Sequence, residues 1–148
     1  DTPSEEAGDQ SIHAVRAGGR GDVTKTHVLW THSPKQIDHI VSPLVVDGRM
    51  LLVKGGGIAT GFEIGSGKKL WGPKRINNTC EYFASPIYAD GKIYIAGENG
   101  RMVVLKSSDK LEILAKNDMG EPIVGTPAIA DGRMVVRTRG HLYCVGLK

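Results

Sequence analysis

The chain is poor in aromatic residues, with 5% Phe, Trp and Tyr over 148 residues. That excludes a surface crowded with stacking platforms of the kind that hold single-stranded nucleic acid. It holds two cysteines, Cys80 and Cys144. Neither stands in a C-x-x-C pair, so a zinc site or a thioredoxin-like motif has no ligand pattern to build on. They lie 64 residues apart, and both are expected to be buried free thiols, because an unpaired Cys packs as a small hydrophobe. No stretch approaches the ~20 apolar residues a membrane helix needs, and no charged n-region leads into an apolar h-region. No membrane span is expected. Neither sign of charge dominates: 19 Lys and Arg stand against 16 Asp and Glu, a net charge of +3. The basic residues are scattered, so no nucleic-acid partner is expected. Also missing is any capped segment with a 3.6-residue apolar period, and 20 glycines work against long helices.

What is present is repetition. "SPLVVDGRMLLV" (42–53) returns as "SPIYADGKIYIA" (85–96) and as "TPAIADGRMVVR" (126–137). The Asp47-Gly48, Asp90-Gly91 and Asp131-Gly132 pairs are 43 and 41 residues apart. Each stands between two short apolar runs, the signature of a two-residue hairpin of type I′. A second turn follows in each unit, at 55–57, 98–100 and 138–140, and then another β-rich run. In the first two units a third turn ("GSGKK", "SSDK") leads to a fourth run. Four short antiparallel strands at a period of ~40–45 residues make the blade of a β-propeller. The expected fold is therefore all-β: a β-propeller of four-stranded antiparallel blades, about three of them in this chain. Residues 1–10 read as a disordered or linker tail, and 11–148 as the blade array. Residues 11–33 form a partial blade, 42–71 with its preceding connector one blade, 85–115 a second, and 126–148 an incomplete last blade lacking its fourth strand. Three blades do not close a ring of ~4–8. Closure is expected from missing blades of a longer chain or from a homo-oligomer in which "THVLW" of one copy supplies another's fourth strand.

Within these repeats, "GFEIGSGKKLW" (61–71) resembles the tryptophan-docking motif of pyrroloquinoline-quinone-type propeller repeats, with Glu63, Ser66, Gly67, Lys68 and Trp71 in the patterned positions. Gly61 replaces Ala, Glu63 replaces Asp and Ser66 replaces Thr. Trp30 lies 41 residues before Trp71, in phase with the repeat. The resemblance implies that each indole packs flat on a glycine turn of the neighbouring blade, where a Cβ would block it. From Ser11 to Lys148 the chain looks like the C-terminal part of an outer-membrane-assembly-type propeller. "IHAVRAGGRGDVTKTHVLW" and "VKGGGIAT" especially resemble longer planctomycete-like bacterial proteins. The resemblance implies a bacterial, extracytoplasmic location, periplasmic or secreted. Quinoprotein dehydrogenases of the superfamily bind pyrroloquinoline quinone with calcium on the propeller axis. Their adjacent-cysteine disulfide is absent here, and no Glu, Asn or Asp set aligns with their metal ligands.

The glycine run at 54–61 lacks the Lys-Ser/Thr ending of a P-loop and coincides with the second hairpin turn, so it reads as a turn. His32, Asp38 and His39 share one loop and are of ligand type for zinc, copper or iron, although H-x6-H is not a recognised ligand spacing. His27 and His141 are expected in strands, on blade faces. Glu81 and Glu121 precede innermost strands and are expected on the rim of the central channel. "NNT" at 77–79 reads as a chance match to a glycosylation sequon. The connectors between blades, "THSPKQIDHIV", "GPKRINNTCEYFA" and "AKNDMGEPIVG", are the expected functional surface, since loops on a rigid scaffold carry binding residues. Lys35, Lys74, Arg75, Asn77 and Asn78 are the candidate partner-binding residues, for an acidic peptide or a glycan. Trp30, Gly67, Trp71 and the three Asp-Gly pairs are the structural residues. The sequence thus reads as a non-catalytic binding or scaffold module for a protein or polymer partner, with no catalytic residue and no cofactor. Two alternatives stand beside it: a fragment of a pyrroloquinoline-quinone-dependent oxidoreductase, and a metal-assisted enzyme using the 32–39 loop.

Overall fold

The computed structural model describes residues 11–33 and 41–146. They form thirteen strands and one 3-10 turn. The first sheet pairs β1 (Ile12–Val15) with β2 (Val28–His32). The second is a meander of β3 (Leu44–Val46), β4 (Arg49–Lys54), β5 (Ile58–Glu63) and β6 (Lys69–Arg75). The third repeats it with β7 (Ile87–Ala89), β8 (Lys92–Ala96), β9 (Arg101–Lys106) and β10 (Ile113–Asp118). The fourth contains β11 (Ala128–Ala130), β12 (Arg133–Arg137) and β13 (Leu142–Gly146). All pairings are antiparallel. The outer strands of the two full sheets run beyond the predicted limits of 71 and 115, to Arg75 and Asp118.

The three Asp-Gly pairs turn as their composition requires. Asp47, Asp90 and Asp131 take φ of 50°, 49° and 50°, each followed by a glycine at 72°, 69° and 70°. Positive φ at both central positions is the type I′ geometry.

Side chains on a strand alternate between faces, and β4 shows what each face meets. Met50 and Leu52 pack with Phe62 against Ile12 and Trp30 of the first sheet. Leu51 and Val53, on the other face, join Ile93, Ile95, Val103 and Leu105 of the third sheet. This is why "RMLLVK" and "RMVVLK" are continuous apolar runs: strands with both faces covered need no polar alternation. A further cluster, Ala96, Met102, Ile123 and Val136, joins the third sheet to the fourth. Packing side by side through both faces is propeller architecture. The first strands of the two full sheets, β3 and β7, approach each other, as strands nearest a common axis do.

Coverage ends at the outer sheets. Val15 and Leu29 of the first sheet, and Leu142 and Val145 of the fourth, are exposed. Cys144 is exposed with them, contrary to the expectation of two buried thiols. It pairs opposite Val135 on a sheet that only one other described sheet covers. Cys80 is half-buried, and both thiols are free. His27 and His141 are also not on strands: each immediately precedes one, β2 and β13. Turn hydrogen bonds claim these residues. The carbonyl of His27 accepts from Arg16 N–H at 2.8 Å, and that of His141 from Thr138 N–H at 2.9 Å.

Two inter-sheet devices fix the register between blades. Trp30 lies on Gly67, where a Cβ would come within 2.7 Å of the indole. Its Nε1–H donates to the Ile64 carbonyl at 2.7 Å. Gly67 also has φ of 70°, so it is required twice over, for the turn and for the approach of the ring. The second device is a relay through the repeated Ser/Thr-Pro. Ser42 N–H donates to Ser85 Oγ at 3.1 Å, and Ser85 N–H donates to Thr126 Oγ1 at 2.9 Å. Each blade thus hands one backbone donor to the hydroxyl that opens the next.

Candidate functional site: the connector face

A four-stranded meander places its first and third turns at one end and its second turn, with the connector to the next blade, at the other. The hydrogen bonds follow that division. At the first end, Ser107 Oγ donates to Asp47 Oδ2 at 3.3 Å, and Arg49 pairs with Asp109 across two sheets. At the other end the connectors are tied down by the second turns, and these ties make an ordered surface.

The connector after β6 is held on both sides. Ile76 N–H donates to Gly57 O at 2.9 Å, and Gly56 N–H to Cys80 O at 3.0 Å. Glu98 N–H of the third sheet donates to Glu81 O at 3.0 Å. Arg75 Nη1 donates to Gly56 O and, at 3.0 Å, to Thr79 Oγ1. Arg75 is therefore a brace within the face, whereas Lys74 and Asn78 are exposed on it. Asn77 is buried at 3% exposure, and its Nδ2 reaches Asn99 Oδ1 at 3.4 Å. It cannot meet a partner or carry a glycan, because the connector folds it beneath the chain. Tyr82 is buried beside it, and burial pushes its hydroxyl well above the ordinary tyrosine range. Among the described residues, neither Asn77 Oδ1 nor Tyr82 Oη has a hydrogen-bond partner.

The connector after β10 is held differently. Met119 N–H donates to Gly100 O at 2.9 Å. The Glu121 carboxylate then takes three partners from the turn before β13. Thr138 Oγ1 and Gly140 N–H donate at 2.6 and 2.8 Å, and His141 Nδ1 pairs at 2.8 Å. The Thr138 hydroxyl, then the Gly140 amide and His141, hold its carboxyl below the usual carboxylate range. Glu81 lies instead against Gly55. The two carboxylates expected on a channel rim thus lie over different hairpin turns: Glu121 accepts from the Gly140 N–H, and Glu81 lies against Gly55.

Other candidates fall elsewhere. His32 ends β2 and packs against Phe62, with ring centroids 5.1 Å apart. Lys35, Asp38 and His39 lie outside the described residues. Among the described residues no three His, Cys, Asp or Glu side chains converge to hold a metal ion.

Sequence reasoning missed three features of this face. The Ser42–Ser85–Thr126 relay was visible as the constant Ser/Thr-Pro of the repeated phrase. The Glu121 clamp had no motif, since its partners come from 17 to 20 residues away. The third is a pair of exposed apolar residues, Phe83 and Val124, at 38% and 55% exposure. Each stands two residues before the Ser/Thr-Pro, so adjacent blades present an apolar side chain at equivalent places.

Comparison with known proteins places this architecture. The family described as "Outer membrane protein assembly factor BamB" matches residues 7–109. The protein of that name from Yersinia pestis is 26% identical over 106 residues, covering 71% of this chain and 26% of its own length. That from Marinobacter adhaerens is 24% identical over 116 residues, covering 78% of this chain and 28% of its own. The chain thus spans about a quarter of the length of these curated relatives. Among solved structures, BamB from Moraxella catarrhalis superposes with a TM-score of 0.66 at 20% identity, over 80% of this chain and 36% of that one. The computationally designed Ika4 protein gives 0.59 at 13% identity over 82% of this chain and 73% of its own. A europium-containing methanol dehydrogenase gives 0.52 at 15% identity over 72% of this chain and 21% of that one. At such identities these likenesses show the shared fold alone.

Proposed function

The chain belongs to the family of outer membrane protein assembly factor BamB, and on that premise we propose that it is a non-catalytic scaffold whose connector face binds a protein partner in outer-membrane protein assembly. One observation carries the reading: the connectors are hydrogen-bonded into a fixed layer that still leaves Phe83 and Val124 exposed at equivalent places. Rigid apolar residues at the centre of a polar rim are what protein interfaces use as anchors. The polar groups of the face, Arg75 and Glu121 above all, are spent on bracing the connectors, which suits a scaffold better than an acid–base catalyst. The name of the relatives supports an extracytoplasmic, periplasmic setting in a bacterium. The exposed outer faces of the first and fourth sheets then seat further propeller blades, from the same polypeptide or from a second copy.

The test is replacement of the gene by Phe83→Asp and Val124→Asp variants in the bacterium that encodes it. Lys68→Glu and Lys110→Glu, exposed in the third turns at the opposite end of the blades, serve as controls. Connector-face variants should lower the abundance of outer-membrane β-barrel proteins while accumulating normally themselves, and the controls should not. Equal effects from both ends would contradict the assignment.

A further inference from the structure

We propose that the groove between the β8–β9 and β12–β13 turns binds an extended peptide segment that carries an acidic residue beside an apolar one. This deepens the reading of the connector face and rests on it. The groove is open and has a volume of about 600 Å³, room for a few residues of extended chain and far more than a water or a simple ion needs. Its apolar lining comes from Pro122 and Val124 of the connector, with Glu98 contributed by the third sheet and Arg137 and Arg139 by the fourth.

The charges decide the occupant. Arg137 ends β12 and Arg139 sits in the following turn, and both are exposed. Several exposed basic residues have acidic partners: Arg49 with Asp47 and Asp109, Lys92 with Asp90, Arg101 with Asp118, and Lys106 with Glu112. Arg137 and Arg139 have no such partner among the described residues. Glu121, the acid of the connector that lines the groove, is engaged by Thr138, Gly140 and His141 and forms no ion pair with either arginine. Two uncommitted guanidiniums beside an exposed valine suit a carboxylate flanked by an apolar side chain, and the planar fork of Arg is the donor that fits a carboxylate best. Glu98 is the one acid lining the groove. It favours a neutral or basic residue at that end and so gives the bound segment a direction. Alternate side chains of an extended peptide point to opposite sides, so a segment of alternating acidic and apolar residues meets both requirements at once.

The test uses the purified full chain and three fluorescein-labelled heptapeptides: alternating aspartate and valine, and the lysine and asparagine counterparts. Binding is read by fluorescence anisotropy at low and at 0.5 M salt. The aspartate peptide should bind at least tenfold tighter than the other two, and salt should erode that preference because the contacts are exposed. Arg137→Glu with Arg139→Glu should reverse the order toward the lysine peptide. Val124→Asp should weaken all three, and thermal melts should show each variant folded. Equal binding of the three peptides, no binding of any, or a preference that survives the double charge reversal would overturn the proposal. Those results leave the in-cell effect of the Phe83 and Val124 variants standing. A null in-cell result with selective peptide binding would sink the scaffold reading and leave the groove.

Discussion

Replacing Ser85 with alanine tests the relay that registers one blade on the next. The Ser85 hydroxyl accepts Ser42 N–H at 3.1 Å, while Ser85 N–H separately reaches Thr126 Oγ1 at 2.9 Å. Alanine at 85 removes the first bond and leaves the second. Ser42 is exposed and Ser85 half-buried, so water can reach the orphaned N–H. The loss is then the net value of one hydrogen bond, about 1 kcal/mol, and not the larger cost of a sealed, unsatisfied donor. For a chain of this size that lowers Tm by about 2–4 °C. Thr126→Val, which keeps the shape and removes the next acceptor, should cost a similar amount. Ser85→Thr should behave like the parent, because Thr126 already does this work in the third unit. Calorimetry with thermal circular dichroism at 215 nm reads all three. If Ser85→Thr melts as low as Ser85→Ala, or if neither moves, the hydroxyl is not the register device and the constant Ser/Thr-Pro needs another cause.

Further expectations follow from the same geometry. Gly67→Ala forces a Cβ into the Trp30 ring at a positive φ, where an L residue alone costs about 1–2 kcal/mol. It should lose at least about 2 kcal/mol in urea unfolding, whereas Gly65→Ala, with no atom within 4 Å of the new Cβ, should be near neutral. The carboxyl of Glu121 is depressed in the folded chain, so its contribution is present above the ordinary carboxylate range, near about 4.3, and is lost as pH falls through the depressed value. Glu121→Gln should therefore flatten the acid limb of the stability–pH profile measured by urea titration between pH 6 and pH 2.5, and an unchanged limb would assign the acid loss to other groups. Cys144 is exposed and Cys80 half-buried, so a thiol-specific disulfide reagent should label Cys144 first, and Cys144→Ser should abolish the fast phase.

The sequence was most legible where one physical requirement repeats. An Asp-Gly between apolar runs can be little else than a tight hairpin turn, and all three pairs take the required φ. The continuous apolar runs of β4 and β9 announced strands covered on both faces. Where the structure differs, the cause is a long-range partner. Asn77 sits in a basic connector and looks like a surface residue, yet the connector is tied to turns of two sheets and folds it inward. Glu121 looked like a rim carboxylate until the turn before β13 supplied its donors. Trp71 shows the limit of a motif read along one chain. The next blade offers Ser107, Ser108, Lys110 and Leu111 in place of a glycine turn, and the indole lies over Gly61 of its own sheet instead.

The scaffold reading stands or falls on which end of the blades meets a partner, and site-specific photo-crosslinking in living cells measures that directly. A photoreactive amino acid would be placed at Phe83 or Val124 on the connector face, and at Asp90 or Asp131 at the opposite end. The account predicts a discrete crosslink to an outer-membrane assembly protein from positions 83 and 124 and none from 90 or 131. Crosslinks of that kind confined to 90 and 131, or equal from both ends, would contradict it.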